Sequence, residues 1–288
     1  MKKRTLFLIF LGVLFTGAIV FFYKFFAPMR YEVNLAHLSR FDHFVDGQRV
    51  YGVRAGEACK PAVLFIHGAP GSWKAWARYL GDDDLLAQVS MIAVDRPGYG
   101  FSDVKDGLSL PLVGQSSAIM GAVLKEHKGP FLIVGHSYGG PIQARMAIDY
   151  PKNVSGLLIL AGAVDPKLHR PRPYHRLANM WPFNAMLPFP LQVANDEMMA
   201  LDRYLKNDLL DASKIEIPTT VVQGRKDWLV PHENVRFIEK TFVKSEVNTI
   251  SLDKEGHFIP WEQYDLVRDQ ILKKAKYMKA PCENAAPE

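Results

Sequence analysis

The sequence predicts an α/β fold, in which a mostly parallel central sheet is flanked by helices on both faces. Six short apolar runs read as strands: 62–68, 90–95, 131–137, 156–162, 219–224 and 247–253. Between or after them, four segments have a helical pattern: 112–127, 139–149, 232–242 and 261–279. Continuous apolar strands that alternate with helices are typical of a parallel sheet buried on both faces.

The first 30 residues predict a membrane anchor. No side chain from Thr5 to Tyr23 is charged, and about 20 apolar helical residues cross a bilayer core of roughly 30 Å. A cleaved signal peptide stays open as an alternative, although its apolar region is usually about 7–15 residues long. A buried helix is also possible. The basic residues Lys2 to Arg4 favour a cytoplasmic N-terminus. We therefore expect a single-pass membrane protein whose main domain is extracytoplasmic, in the periplasm or on the outer face.

Composition fits a globular protein and gives no sign of a nucleic-acid partner. The 288 residues are 48% hydrophobic and 23% charged, with a net charge of +5. This mild basicity fits contact with anionic membrane surfaces, whereas a nucleic-acid protein would carry a long Lys/Arg run or a basic-aromatic array. Cys59 and Cys282 are the two cysteines. Their spacing is not that of metal ligands, and a disulfide between them stays open.

The main domain is predicted in two parts, residues 31–165 and 212–279. A hairpin over 43–55 opens it, with Asp46-Gly47 as the turn. Residues 166–211 separate the two parts and are too long for an ordinary connection. They are rich in proline, aromatic residues and methionine, which predicts a cap or lid over the end of the sheet. The tail, residues 280–288, is predicted to be disordered.

Ser137 is the candidate nucleophile. It lies in VGHSYGG, residues 134–140, between a predicted strand and a predicted helix. Gly135 and Gly139 permit a sharp strand-to-helix turn that exposes the serine hydroxyl beyond the carboxyl ends of the strands. The alternative is a turn serine that caps the following helix.

A serine nucleophile needs a base, and the base needs an acid that orients it. His257 follows the last predicted strand, so its loop should reach the same sheet edge as Ser137. His67 and His136 flank the site and are interpreted as holding loops together. Asp227, after the strand 219–224, is the preferred acid, and Asp165, after the preceding strand, is the alternative.

Negative charge that develops on a carbonyl oxygen needs hydrogen-bond donors. The backbone N–H of Tyr138, directly after Ser137, is one candidate for this oxyanion hole. The other is the N–H of Ala69 in HGAPGS, residues 67–72, after the strand that begins at Ala62. Asp95, in VDRPGYG, is interpreted as fixing a turn.

The motifs HGAPGS, DRPGYG, GHSYGG, GRKD and GHF occur in this order. Together they resemble the α/β-hydrolase superfamily over about 43–165 and 212–279. The resemblance implies a serine esterase or lipase that acts on a small-molecule or lipid ester, without metal or cofactor. HGAP also resembles the loop of epoxide hydrolases and haloalkane dehalogenases, but those families use an aspartate nucleophile where this chain has Ser137. Proline iminopeptidases usually carry H-G-G-P-G, and Ala69 departs from that pattern.

Further interpretations stay open. Amide or carbon–carbon bond hydrolysis would use the same three residues, and a non-catalytic, membrane-tethered binding module would use none of them. In the predicted cap, Trp181, Phe183 and Met186 either pack onto the core or bind the acyl chain of a substrate. The basic residues just before them, Lys167 to Arg176, could face anionic headgroups.

Overall fold

A central sheet organises the computed structural model, which describes residues 35–105 and 107–280. Within these residues the strands are β1 (Ser39–Val45), β2 (Gln48–Ala55), β3 (Ala62–Ile66), β4 (Ser90–Val94), β5 (Phe131–His136), β6 (Val154–Leu160), β7 (Thr219–Gly224) and β8 (Val247–Leu252). Their spatial order is β1-β2-β4-β3-β5-β6-β7-β8. β2 pairs antiparallel with β1 and β4, and every other pair is parallel. The predicted mostly parallel sheet is confirmed.

Two apolar cores bury the two faces of the sheet. Successive side chains of a strand point to opposite faces. Leu64 and Ile66 of β3 accordingly belong to one core, whereas Val63 and Phe65 belong to the other. Because both faces of the central strands are buried, the sequences of β3 to β6 are largely apolar rather than alternating with polar residues.

Helices cover both faces, as predicted. In chain order they are α1 (Ala77–Leu80), α2 (Asp83–Gln88), α3 (Leu112–Glu126), α4 (Gly139–Asp149), α5 (Pro173–Ala178), α6 (Phe183–Met186), α7 (Phe189–Asp208), α8 (Asn234–Thr241), α9 (Ile259–Glu262) and α10 (Tyr264–Ala275). Ile119 of α3 and Ile142 of α4 join the core of Leu64. Val267 of α10 joins the opposite core, together with Trp76 from a 3₁₀ turn at Trp73–Trp76.

The strand order changes direction at β3. This strand pairs with β4 on one side and with β5 on the other. The connections that follow β3 and β5 therefore diverge and leave a crevice beyond their carboxyl ends, where open α/β sheets bind ligands. The loop after β3 begins at His67, and the turn after β5 contains Ser137. The topology thus brings both predicted motifs to one crevice.

Most element boundaries agree with the sequence prediction. The six predicted runs correspond to β3–β8, with ends within two residues. The predicted hairpin is β1–β2, and β1 begins earlier than predicted, at Ser39. Asp46 and Gly47 form its two-residue turn with φ of 51° and 81°. Such left-handed conformations suit the twist of a tight hairpin.

Two predictions about helices were incomplete. The predicted helix 261–279 is two helices, α9 and α10, because the backbone leaves helical geometry at Gln263, with φ −119° and ψ 41°. Helices α1 and α2 were not predicted at all. The side chain of Asp82 accepts a hydrogen bond of 2.9 Å from the N–H of Leu85 and caps α2, so the sequence GDDDLL did contain a start signal.

Residues 166–211, called the cap segment below, connect β6 to β7 and contain α5, α6 and α7. The predicted anchor, residues 1–30, lies outside the described residues, as do residues 281–288 of the predicted disordered tail. In the described part of the chain, no helix has both the length and the apolar character needed to cross a bilayer. Cys59 is disulfide-bonded, and Cys282 lies outside the described residues.

Candidate active site

Ser137 occupies a tight turn at the end of β5. Its φ is 54°, in the left-handed region that non-glycine residues rarely adopt. Its N–H donates to the carbonyl of Leu160 at 3.0 Å, and its carbonyl accepts from the N–H of Gly140 at 3.0 Å. A conformation of this kind persists only where the surroundings hold it, and such outliers are concentrated at functional sites.

The glycines around Ser137 are required by close packing of the backbone. A Cβ atom at Gly135 would lie 2.5 Å from the carbonyl oxygen of Gly139. A Cβ atom at Gly139 would lie 2.4 Å from the carbonyl oxygen of Ile66, at the end of β3. The predicted reason for the G-x-S-x-G pattern, a sharp strand-to-helix turn, is therefore present in the structure.

His257 and Asp227 form a buried pair. His257 Nδ1 donates to Asp227 Oδ2 at 2.8 Å. Asp227 Oδ1 accepts from the N–H groups of Leu229 and Val230 at 3.0 and 2.8 Å, and Oδ2 also accepts from Gln223 Nε2 at 3.1 Å. Four donors thus fix the carboxylate, which in turn orients the imidazole and leaves its Nε2 available.

His136 ties the loop of His257 to the strand that carries Ser137. Its Nε2–H donates to the carbonyl of His257 at 2.9 Å, and the two rings lie 4.7 Å apart between centroids. Burial, with a smaller contribution from His257, holds the pKa of His136 well below its usual range. A neutral His136 therefore supports the loop, as the sequence interpretation proposed.

Asp165, the alternative acid, is engaged elsewhere. Its carboxylate accepts from the N–H of Lys167 at 2.8 Å, and its own N–H donates to Asn234 Oδ1 at 2.9 Å. Of the two predicted carboxylates, the structure brings Asp227 to the imidazole of His257.

The loop after β3 packs closely against the turn that contains Ser137. A Cβ atom at Gly68 would lie only 2.9 Å from Cβ of Ser137. Gly68 is therefore packed against the serine, and Ala69 is the next residue along the loop. Among the described residues, no carbonyl or side chain accepts a hydrogen bond from the N–H of Ala69 or of Tyr138. Both groups remain available to a substrate oxygen at the predicted position.

A buried polar network that the sequence interpretation missed lies behind this loop. Arg96 and Glu197 form an ion pair of 2.5 Å, and both side chains are fully buried. Arg96 also donates to the carbonyls of His67 and Gly68, at 3.0 and 3.1 Å. The neighbouring Asp95 accepts from the N–H groups of Trp73 and Phe101, which confirms that it fixes a turn.

The three predicted substrate contacts in the cap segment are exposed. The exposed fractions are 82% for Trp181, 47% for Phe183 and 77% for Met186. These values contradict the interpretation that the three side chains pack onto the core. Contact with an acyl chain stays a prediction. No group of three or more His, Cys, Asp or Glu side chains in the described residues has the arrangement of a metal site.

The chain belongs to the alpha/beta hydrolase family, because the family model matches residues 63–270. Human monoacylglycerol lipase ABHD6 is 28% identical over 244 residues, which are 80% of this chain and 69% of the relative. Mouse epoxide hydrolase 3 is 22% identical over 264 residues, covering 74% and 70%.

A solved structure supports the same fold. The crystal structure of a membrane phospholipase A, described as a bacterial virulence factor, matches 96% of this chain and 99% of its own, with a TM-score of 0.60 and 21% identity. The family and the relatives together support a hydrolase of ester or epoxide bonds.

Proposed function

We propose that the chain is a serine carboxylesterase of the lipase type, which forms an acyl intermediate on Ser137. The observation that carries the proposal is the serine at a strained turn, close to a buried Asp227–His257 pair. His136, the residue before Ser137, binds the loop that carries His257. The relatives include a monoacylglycerol lipase, which favours a lipid ester as substrate.

The proposed reaction has two halves. Ser137 Oγ attacks the ester carbonyl while His257 Nε2 takes the serine proton, and the N–H groups of Ala69 and Tyr138 stabilise the oxyanion. His257 then protonates the leaving alkoxide as the C–O bond breaks. In the second half, water attacks the acyl group, gives its proton to His257, and releases the acid and a reprotonated Ser137.

Epoxide hydrolysis is the second candidate, because an epoxide hydrolase is among the relatives. The residue at the turn argues against it. The epoxide hydrolases that share the H-G-x-P loop use an aspartate nucleophile, and this chain has Ser137 at that position. A serine favours acyl transfer.

The partner that we propose is a membrane. From Pro166 to Pro190 the chain has four Lys or Arg residues and no Asp or Glu. The same stretch exposes Tyr174, Leu177, Met180, Trp181 and Met186. An exposed apolar surface beside basic residues is suited to an anionic bilayer surface.

We also propose that residues 1–30 cross the membrane once and that the hydrolase domain is extracytoplasmic. The uncharged stretch Thr5–Tyr23 supports the span. The basic residues Lys2 to Arg4 before the span support the location.

A fluorophosphonate probe and a panel of esters of graded acyl length test the enzymatic proposal. We expect the probe to label the wild-type protein at Ser137 and not to label Ser137→Ala. Ser137→Ala should lose ester turnover as well as labelling by the probe. Folded wild-type protein that neither reacts with the probe nor hydrolyses any ester would instead support the binding module. An aminopeptidase substrate and an epoxide in the same panel test for amide and epoxide hydrolysis.

A further inference from the structure

A buried arginine connects the cap segment to the predicted oxyanion hole. Arg96 Nη1 contacts Glu197 Oε1 at 2.5 Å, and Nη2 contacts Oε2 at 3.0 Å. Glu197 belongs to α7, whereas Arg96 follows β4 in the core. A two-point contact between planar groups fixes orientation as well as distance.

On the core side, Arg96 holds the peptide group that carries the N–H of Ala69. Arg96 Nη2 donates at 3.1 Å to the carbonyl of Gly68, which belongs to the same peptide unit as that N–H. The C=O and N–H of a trans peptide point in opposite directions in one plane. A donor that fixes the carbonyl therefore fixes the direction of the N–H. It also polarises the peptide group, which strengthens the N–H as a donor.

His67 supports the same carbonyl. Its Nδ1–H donates to the carbonyl of Gly68 at 2.7 Å, and its Nε2 accepts from the N–H of Arg96 at 3.0 Å. Arg96 also packs against the side chain of Tyr138, the residue whose backbone N–H is the second predicted donor, with the guanidinium carbon 4.7 Å from the ring centroid. Arg96 thus contacts the peptide carbonyl before Ala69 and the side chain of Tyr138.

On the cap side, Glu197 is held by further donors. Its carboxylate accepts from the Tyr99 hydroxyl at 2.7 Å and from Gln115 Nε2 at 3.0 Å. One turn earlier on α7, Val193 and Ala194 form a small apolar cluster with Tyr99, against which Ala69 packs. The position of α7 is therefore transmitted to the oxyanion loop by both polar and apolar contacts.

We propose that Arg96 and Glu197 are positioning residues that couple the cap segment to the oxyanion hole. The cap segment supplies the carboxylate that orients Arg96, and Arg96 aims the N–H of Ala69 at the substrate oxygen. The proposal rests on the proposed function, since it assumes that this N–H stabilises an oxyanion at Ser137.

The test uses the double variant Arg96→Met/Glu197→Leu in the full chain. Apolar residues of similar volume can replace a buried ion pair without loss of the fold, whereas single truncation leaves an unpaired charge. We expect kcat for a p-nitrophenyl ester to fall about 10- to 100-fold, less than for complete loss of an oxyanion donor. KM should stay within about threefold. Binding of a trifluoromethyl ketone, which mimics the tetrahedral intermediate, should weaken in parallel with kcat.

A matched control and a second variant complete the experiment. Ser109→Ala removes the 2.6 Å hydrogen bond to Asp196, the residue before Glu197, and leaves the contacts of Glu197 with Arg96 and the loop after β3 in place. It should retain wild-type kcat. Arg96→Lys keeps the charge but lacks the planar fork that reaches both Glu197 and Gly68, so its kcat should also fall. It serves as the test if the double variant does not fold.

The outcomes separate this proposal from the function on which it rests. Wild-type protein without ester turnover overturns both. Wild-type turnover, with folded variants that keep their kcat and their affinity for the ketone, overturns only the coupling. An equal loss of kcat in Ser109→Ala would also overturn it, since general loosening of the cap segment would then explain the effect.

Discussion

At the scale of single residues, the site combines one strained serine with one firmly held acid. Ser137 keeps φ of 54° because Gly135 and Gly139 allow the surrounding backbone to close on it. Asp227 receives four hydrogen bonds, so its carboxylate has no freedom to turn away from His257. The carboxylate of Asp227 and the bond from His136 to the loop together hold the imidazole of His257 in place.

Asp227→Asn should lower kcat for an ester by up to about 10⁴-fold, because an amide favours the wrong imidazole tautomer. The protein should remain folded. Asp165→Asn is the matched control, since Asp165 bonds to the N–H of Lys167 and not to His257. Steady-state measurements of kcat for the two variants show which carboxylate orients the imidazole. A larger loss in Asp165→Asn would move the acid to that residue.

Stability should fall in mild acid, because the pKa values of His67 and His136 lie well below their usual range, chiefly through burial. Below about pH 6.5 these histidines bind protons in the unfolded chain but stay neutral in the folded protein. Each histidine then removes up to about 1.4 kcal/mol of unfolding free energy per pH unit. Urea unfolding at several pH values measures this slope. Replacing His136 by Asn should make it shallower, and an unchanged slope would contradict the assignment.

Ser137, Asp227 and His257 could be predicted as site residues because each follows a strand within a local motif. The pair of Arg96 and Glu197, whose members lie 101 residues apart, was missed. One signal was present. Val193, Glu197 and Leu201 follow a four-residue spacing on α7, and all three are buried. A carboxylate on the apolar face of a helix requires a buried partner.

At the scale of elements, the cap segment differs most from expectation. Aromatic residues that pack a cap onto a core should be buried, yet those of α5, α6 and the turn between them are exposed. The sequence could not show this, because prolines interrupt the helical period on which a face assignment depends. Helix α7, in contrast, buries Leu201 and Leu205 in the core that contains Leu64 and Ile66.

The exposed cap surface should bind anionic vesicles. We expect a chain lacking residues 1–30 to co-sediment with phosphatidylcholine vesicles that contain phosphatidylserine. Trp181→Ser/Met186→Ser should weaken binding at least about tenfold, given the apolar area lost. Phe44→Ser/Val243→Ser is the matched control, since these side chains are 67% and 66% exposed elsewhere. Equal binding by both double variants would contradict a specific membrane face.

Acyl-chain selectivity tests whether the cap segment also binds substrate. If Trp181 and Phe183 contact the acyl group, Trp181→Ala and Phe183→Ala should raise KM for long-chain esters more than for acetate. The physical reason is the apolar area that only the longer chain buries, about 0.8 kcal/mol for each buried CH₂. KM values across the ester panel measure the effect. A uniform change would exclude acyl contact.

At the scale of the whole molecule, the sequence predicted the parallel sheet but not its strand order. The six runs could be recognised because each is short and rich in apolar or β-branched residues. Their order requires pairings such as β3 with β5, whose partners include Ala62 and Phe131, and no local pattern encodes so distant a contact. The neighbourhood of Ala69 and Ser137 was instead inferred from their positions after two strands, where the nucleophile and the oxyanion donors of such a site are expected.

Full-length protein should resist extraction from membranes by alkaline carbonate, because an apolar span of about 20 residues is held in the bilayer core. A chain lacking residues 1–30 should be released and should keep ester turnover. Immunoblots of pellet and supernatant measure the partition. Full-length protein in the supernatant would contradict the anchor and leave the proposed hydrolase untouched.

The insertion of the cap segment between β6 and β7 has a consequence for protein engineering. A variable segment between two strands of the core invites exchange for the cap of another hydrolase, as a route to new selectivity. Here the exchange would remove Glu197 and leave the fully buried Arg96 without its counter-ion, which is a costly state. A successful chimera must therefore graft a carboxylate at the equivalent point, or remove the arginine from the recipient scaffold at the same time.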